Sequence, residues 1–360
     1  MSPLPLHSSP RAQRGAALIS AMLVVTLVAT LASVALWQQW RHVEVESAER
    51  HRVQSSWLLN GALDWSRLIL REDAMAGANG SGANAGNPDN AGTADHLAEP
   101  WALPLQEAKL STFLAQDQQL REGDPEVFLS GQITDAQSRI NLTNWGESSD
   151  GKGTPQLSDP VYMALLRLFN VLDLPRTELE KLGQGWQLAS QSAKLAQPGI
   201  AQPVSGAAAG AALLPQQVMQ LQWLGLRPET VQRIAPYVTI LPQATPVNLN
   251  TASAQVIYAT LPGLDLAVAQ KFVQQRSRAH FSNLADASKA LGVKSLEARW
   301  HAVGSRFFEV WGRLRMEDRT QEETALIFRD AGNVTFVWRQ KIAGILPPPH
   351  RESLLQSSQP

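Results

Sequence analysis

The sequence predicts an α+β fold: one long N-terminal helix packed on an antiparallel sheet, with a large all-α block inserted into that sheet. Three observations predict it. An uncharged apolar run near the N-terminus opens a proline-free stretch of helical periodicity. Period-two alternation appears at Val127, Leu129, Gly131 and Ile133, and again after Ser305. Between them, from Leu157 to Gly304, one helical segment follows another. The 360 residues amount to about two domains at roughly 150 residues each. With 44% hydrophobic residues the chain has material for a core, which excludes wholesale disorder. The 31 Lys+Arg against 32 Asp+Glu do not offer the basic footprint of a chain that grips nucleic acid along its length. There is no cysteine, so disulfides, thiolate metal sites and cysteine nucleophiles are excluded. Eleven tryptophans are an excess that asks for placement.

Residues 1–15 are polar and carry Arg11 and Arg14 but no acid. Ala16–Trp37 then runs without a charge, long enough at about 1.5 Å per residue to cross a bilayer core of about 30 Å. Its polar side chains are the hydroxyls of Ser20, Thr26, Thr30 and Ser33, which can bond back to their own helix backbone. The run exceeds the apolar region of a cleaved signal peptide, and the small residues Ala32 and Ala35 lie inside it, so it reads as a retained span. Trp37, Trp40 and Arg41 suit the headgroup level. Arginines on both sides leave the orientation open. No proline falls between Pro10 and Pro88, and an apolar stripe through Val53, Trp57, Leu58, Ala62, Trp65, Leu68 and Ile69 carries the same helix across 38–72.

Residues 73–156 read as linker and first strands, beginning with the Gly/Asn/Ala/Ser stretch Ala74–Asp95, a flexible loop. Val127–Ile133 is a strand, Ser138–Leu142 a second extended piece, and Asn144–Thr154 a polar loop. Residues 157–304 form the helical insert. In it Val161–Phe169 is a helix closed by Leu174-Pro175, and Glu178–Ser192 is another. Ala196–Leu213 is a soft Ala/Gly/Pro stretch. Gln216–Leu224 and Pro228–Ile234 are short helices, and Asn250 or Thr251 caps the next. Residues 305–343 return to strands. Phe308, Val310, Gly312, Leu314 and Met316 share a face, and Thr324–Phe328 and Val334–Ile342 pair around Asp330–Asn333 with Phe336, Trp338 and Ile342 on one face. Residues 344–360 form a Pro-rich, polar, disordered tail.

Arg14-Gly15-Ala16-Ala17-Leu18-Ile19 resembles the processing site of type IV pilin-like proteins, in which a short basic leader ends in Gly ahead of a hydrophobic helix. The resemblance implies cleavage by prepilin peptidase between Gly15 and Ala16, methylation of the new amine on Ala16, and a filament built around the helix. Loss of Arg11 and Arg14 would take the net charge from −1 to −3. Most pilins carry Glu at the fifth mature position, where it pairs with the N-terminal ammonium of the subunit above; here that position is Ser20. A subunit lacking it has no means of neutralising a neighbour above and belongs at the tip, as in the K-type minor pseudopilins of type II secretion. Ile133-Thr134-Asp135-Ala136-Gln137-Ser138-Arg139-Ile140-Asn141-Leu142 and Pro246-Val247-Asn248-Leu249-Asn250-Thr251-Ala252 are similar to two further segments of that family. The resemblance implies a pilin-like core and a tip complex with the I- and J-type minor pseudopilins through parallel helices, where Ala17, Ala21, Ala29, Ala32 and Ser33 allow close approach. It further implies contact with the major pseudopilin, prepilin peptidase and the inner-membrane assembly platform. The chain would sit single-pass in the inner membrane of a Gram-negative bacterium with a periplasmic head.

The rival reading is a membrane-anchored DNA-binding or uptake protein. Val247–Gly292 resembles a SAM-like or helix-hairpin-helix block, whose Pro-Gly-x-Gly turn holds a phosphate on backbone amides. Here Leu261-Pro262-Gly263 is followed by Leu264 and then Asp265 in place of the second Gly, a carboxylate where the phosphate would sit. Neither a G-x-S-x-G nor a P-loop is present, and the seven histidines form no short metal-ligand pair, so the chain does not read as an enzyme. No cofactor is required. Calcium is the one to weigh, since pseudopilin families hold it in oxygen-rich loops; Asp135, Glu147 and Asp150 are the hard-oxygen candidates here.

Overall fold

Helix α1 spans Arg14–Gly80, 67 residues without a proline. The computed structural model describes residues 14–80, 94–110, 126–146, 159–195, 213–316, 319–330 and 332–342. The leader ahead of Arg14, the soft stretch after Leu195 and the tail from residue 344 lie outside the described residues. The chain divides into two units, Met1–Leu58 and Leu59–Pro360.

In the first unit every residue from Ala17 to Glu46 is exposed. The four hydroxyls bond within the helix as expected: Ser20 Oγ donates to the Ala17 carbonyl at 3.0 Å, Thr26 to Leu23 at 2.9 Å, Thr30 to Leu27 at 2.8 Å and Ser33 to Ala29 at 2.8 Å. Each polar group in the apolar run is thereby satisfied without water. The Arg41 guanidinium stacks over the Trp37 ring at 4.9 Å.

The second unit starts with the last turns of α1. Leu59, Leu63, Ser66 and Leu70 recur at helical spacing and are buried. This is not the stripe read from the sequence: Trp57, Trp65 and Leu68 are exposed on the helix. The helix also continues through Ala74 to Gly80, where a loop was expected.

The sheet is antiparallel throughout, in the order β1 (Leu105–Lys109), β2 (Val127–Asp135), β7 (Phe307–Met316), β8 (Arg319–Asp330), β9 (Asn333–Ile342). β1 has no alternation to announce it and escapes sequence reading. One face of the sheet packs on α1: Leu63 and Leu70 meet Trp101, Ile133, Phe308, Val310, Ile327 and Val334. Gly131 and Gly312 are cross-strand partners. A Cβ on Gly312 would lie 3.1 Å from a Leu59 methyl, so glycine lets α1 settle close to β7.

β9 departs from simple alternation. Leu326 pairs with Trp338 but Ile327 pairs with Phe336, so Val337 is an extra residue in a bulge. Phe336 therefore packs with the α1-side cluster while Trp338 packs with Phe307 and Leu326 on the opposite face. The expected common face for Phe336, Trp338 and Ile342 is corrected by that one inserted residue. The guanidinium groups of Arg67 and Arg339 lie over the Phe336 ring, at 5.1 and 3.7 Å from its centroid.

Between β2 and β7 the helical lobe contains α2 (Pro160–Val171), α3 (Arg176–Leu195), α4 (Pro228–Ile234), α5 (Ala254–Thr260), α6 (Leu266–Arg278) and α7 (Leu284–Leu291). Val218–Leu224 is a 3-10 turn where a short helix was expected. Two parallel strand pairs stitch the lobe: β3 (Ile140–Asn141) with β4 (Val238–Thr239), and β5 (Val247–Asn248) with β6 (His301–Ala302). Its core includes Leu165, Phe169, Leu182, Ile234, Ile257 and Phe272, and also Ile140, Leu142 and Trp145, which precede the expected boundary at 157. Helix α5 is capped by Ser253, whose Oγ accepts from Val256 N at 3.3 Å, not by Asn250 or Thr251, which are engaged elsewhere.

Candidate functional site

The two quoted motif segments meet at a buried polar junction between the sheet and the helical lobe. Asp135 ends β2 and is 4% exposed. Its Oδ1 accepts from Gln137 N at 2.7 Å. Its Oδ2 accepts from Asn248 Nδ2 at 2.9 Å, Thr251 Oγ1 at 2.6 Å and Ser305 Oγ at 2.6 Å. Burial pushes this carboxyl up while those four donors pull it down. Asn248 also donates to the Asp95 carbonyl at 3.1 Å. Asn250 links the Phe281 and Val303 carbonyls at 2.9 and 3.2 Å and accepts from Phe281 N at 3.0 Å. Asn141 donates to Gln243 O at 2.8 Å and accepts from Leu241 N at 3.1 Å, and Asn144 exchanges two bonds with Thr245. The asparagines of both motifs thus replace missing ladder partners for irregular backbone inside the molecule.

Asp135, expected as a hard-oxygen calcium candidate, has both carboxylate oxygens engaged by donors from three segments and anchors the end of β2. Its proposed companions Glu147 and Asp150 lie outside the described residues. Beside the junction Asp73, Asp95 and Glu99 bring oxygens within 4.8 Å of one another. Arg329 fills the space between two of them: its guanidinium pairs with Asp95, and with Asp73 Oδ2 at 2.7 Å. Burial pushes Asp95 up to about 7 against the pull of Arg329, and the two carboxylates hold the guanidinium above its ordinary value. Glu99 Oε2 accepts from Trp101 Nε1 at 2.6 Å and from His96 N at 3.0 Å. Sequence reasoning missed Asp95, Ser305 and Arg329. Ser305 and Arg329 contact residues 170 to 256 positions away, and no local period carries such a pairing.

Gly15 and Ala16 fall in the first turn of α1. Ser20 occupies an exposed position on the same helix, with its hydroxyl turned to the backbone. At about 100° per residue, Ala17, Ala21 and Ala32 share one face, while Ala29 and Ser33 lie on the next. Asp265 precedes α6 as its N-cap, with an exposed side chain that makes no cap bond.

An apolar helix long enough to cross a membrane, an antiparallel sheet and a helical lobe spliced between two of its strands together make a pilin-like α+β arrangement. Residues 247–304 match the family model for type II secretion system (T2SS), protein K. The chain is 28% identical over 358 residues to the type II secretion system protein K of Pseudomonas aeruginosa, covering 94% of this chain and 96% of that one. It is 26% identical to the protein K of Pectobacterium carotovorum, with 91% and 96% covered. The fold matches a chain in the crystal structure of the GspK–GspI–GspJ complex from the enterotoxigenic Escherichia coli type 2 secretion system, with a TM-score of 0.58 at 16% identity over 82% of this chain and 99% of that one. Over nearly its whole length the chain is thus similar to proteins named type II secretion system protein K.

Proposed function

We propose that the protein is a minor pseudopilin of the type II secretion system. It joins the I- and J-type minor pseudopilins in a tip complex that primes pseudopilus assembly for export of folded periplasmic proteins. The observation that carries this is the full-length likeness to proteins named type II secretion system protein K, joined to a fold shared with a chain solved in complex with GspI and GspJ. Its action is assembly without turnover. Prepilin peptidase cuts between Gly15 and Ala16, and the amine of Ala16 is methylated. The apolar helix holds the chain in the inner membrane with the second unit in the periplasm. There it meets the major pseudopilin and the assembly platform. The two faces of small residues, Ala17/Ala21/Ala32 and Ala29/Ser33, let neighbouring helices approach on two sides. Ser20, which carries no charge to pair with a subunit above, supports a position at the top of the filament.

Co-expression of the full chain with its I- and J-type partners, followed by affinity capture in mild detergent and native mass measurement, tests this. A ternary complex of one copy each is expected. Capture of the chain without either partner, or salt-sensitive micromolar binding of duplex DNA by the full chain, overturns it.

A further inference from the structure

A second contact joins the sheet side of the molecule to the helical lobe, beside the Asp135 junction. His96 sits in the segment 94–99 ahead of Trp101, and His280 in the connection between α6 and α7. Their rings stack with centroids 3.8 Å apart and planes 19° from parallel. His96 Nδ1 accepts from Ala98 N at 3.3 Å, which puts the ring proton on Nε2 and favours the neutral imidazole. A proton added at Nδ1 would face an N–H donor.

One neighbouring carboxylate, Glu99, faces His96 and favours its protonated form, against the effect of the stack. Glu99, in the same segment, has its Oε1 3.9 Å from His96 Nε2, while its Oε2 holds Trp101 and the backbone. Asp73, on α1, is paired with Arg329 of β8, which also holds Asp95. His96 is half-buried and His280 exposed, and partial desolvation is the first cause that lowers both imidazoles from their ordinary range; Asp73 opposes it at His96, while at His280 the His96 ring adds to it and Glu99 opposes. Two parallel rings cannot direct nitrogen lone pairs at one point, so the pair is not arranged to share a metal ion.

We propose that His96 and His280 form a proton-sensitive clasp between the pilin-like core and the helical lobe, closed when both rings are neutral and released when they are protonated. The sign follows from the closed state binding fewer protons than the open one. Closure is complete above about pH 6.5, the ordinary histidine value, and weakens as pH falls below it. The Asp135 junction holds the residues next to both rings, through Asn248 to Asp95 and Asn250 to Phe281, so the lobes stay tethered while the rings part.

Hydrogen–deuterium exchange on the full chain in detergent micelles tests this. From pH 7.5 to 5.5, after correction for intrinsic exchange, protection at 94–99 and 279–283 should fall by about tenfold or more relative to helix α2. His96→Phe together with His280→Phe keeps a stacked pair without a proton site and should abolish the fall. His96→Gln together with His280→Gln serves if the phenylalanine variant does not fold. Asp95 titrates in the same segment with the opposite sign, so only the difference between wild type and variant reports the pair. Unchanged protection in the wild type, or a fall that persists in a folded variant, overturns the proposal.

Discussion

At the scale of single residues, Asp135 concentrates four hydrogen bonds from three separate segments on one buried carboxylate. Charge-assisted bonds of this kind are worth more than neutral ones, and their loss leaves three side-chain donors stranded. Asp135→Ala should therefore cost about 3 kcal/mol or more of unfolding free energy, whereas Ser305→Ala, which removes one donor, should cost about 1 kcal/mol. Denaturant titration of the full chain checks both, and equal costs would show that the carboxylate is not the hub. His301 makes a separate, pH-dependent prediction. Its ring is buried, and burial lowers it to about 4 against the opposing effect of the Glu297 backbone. The folded chain then binds fewer protons than the unfolded one between about 4 and 6.5. Its contribution is present above about 6.5 and lost as pH falls toward 4, on the order of 3 kcal/mol in all. His301→Phe should flatten that acid limb in thermal melts followed against pH; a limb of unchanged steepness would assign it to other groups.

At the scale of elements, the side of α1 that faces the sheet is set by Leu59, Leu63, Ser66 and Leu70. Leu63→Ala should cost about 2–5 kcal/mol, the range for a buried leucine whose site cannot collapse, as read from the shift in denaturation midpoint. The bulge at Val337 offers a sharper test. Deleting Val337 would restore simple alternation and force Phe336 and Trp338 onto one face, stripping one of the two clusters of its aromatic. A folded, equally stable deletion variant would contradict the register assigned to β9. These elements also mark how far the sequence alone could be read. The long helix, β2, β7 and the hairpin were legible because their periodicities are local and uninterrupted. The buried stripe of α1 was not, because apolar residues ring this helix: Trp57 and Leu68 satisfy the same spacing as Leu59 and Leu70, and only the sheet decides between them. The bulge left no trace because Phe336, Val337 and Trp338 are all apolar, so period two and its interruption look alike. The two motif segments were recognisable as blocks, but that they close on each other through Asp135 depends on contacts over a hundred residues apart.

At the scale of the whole molecule, folding draws on one face of α1 and leaves large apolar side chains exposed on the opposite face. Leu59, Leu63 and Leu70 are spent on the sheet, while Trp57 and Leu68, eleven residues apart and therefore about three turns along a common face, are 73% and 57% exposed. Apolar side chains of that size on a face away from the core contribute little to the stability of the single chain, so Leu68→Asp should change its unfolding free energy by no more than about 0.5 kcal/mol. In a tip complex that face would lie against neighbouring helices, and a carboxylate placed there would be desolvated without a partner. Leu68→Asp should thus leave the denaturation midpoint where it is while lowering recovery of the ternary complex by tenfold or more, and Leu63→Ala should lower the midpoint while leaving recovery of the complex largely intact under conditions where the chain stays folded. Measuring both quantities on both variants separates a surface used for assembly from a surface used for folding. If Leu68→Asp unfolds the chain, the helix is seated differently on its sheet. If it affects neither quantity, the partner helices approach from another side, and the two faces of small residues nearer the N-terminus would have to supply the contact alone.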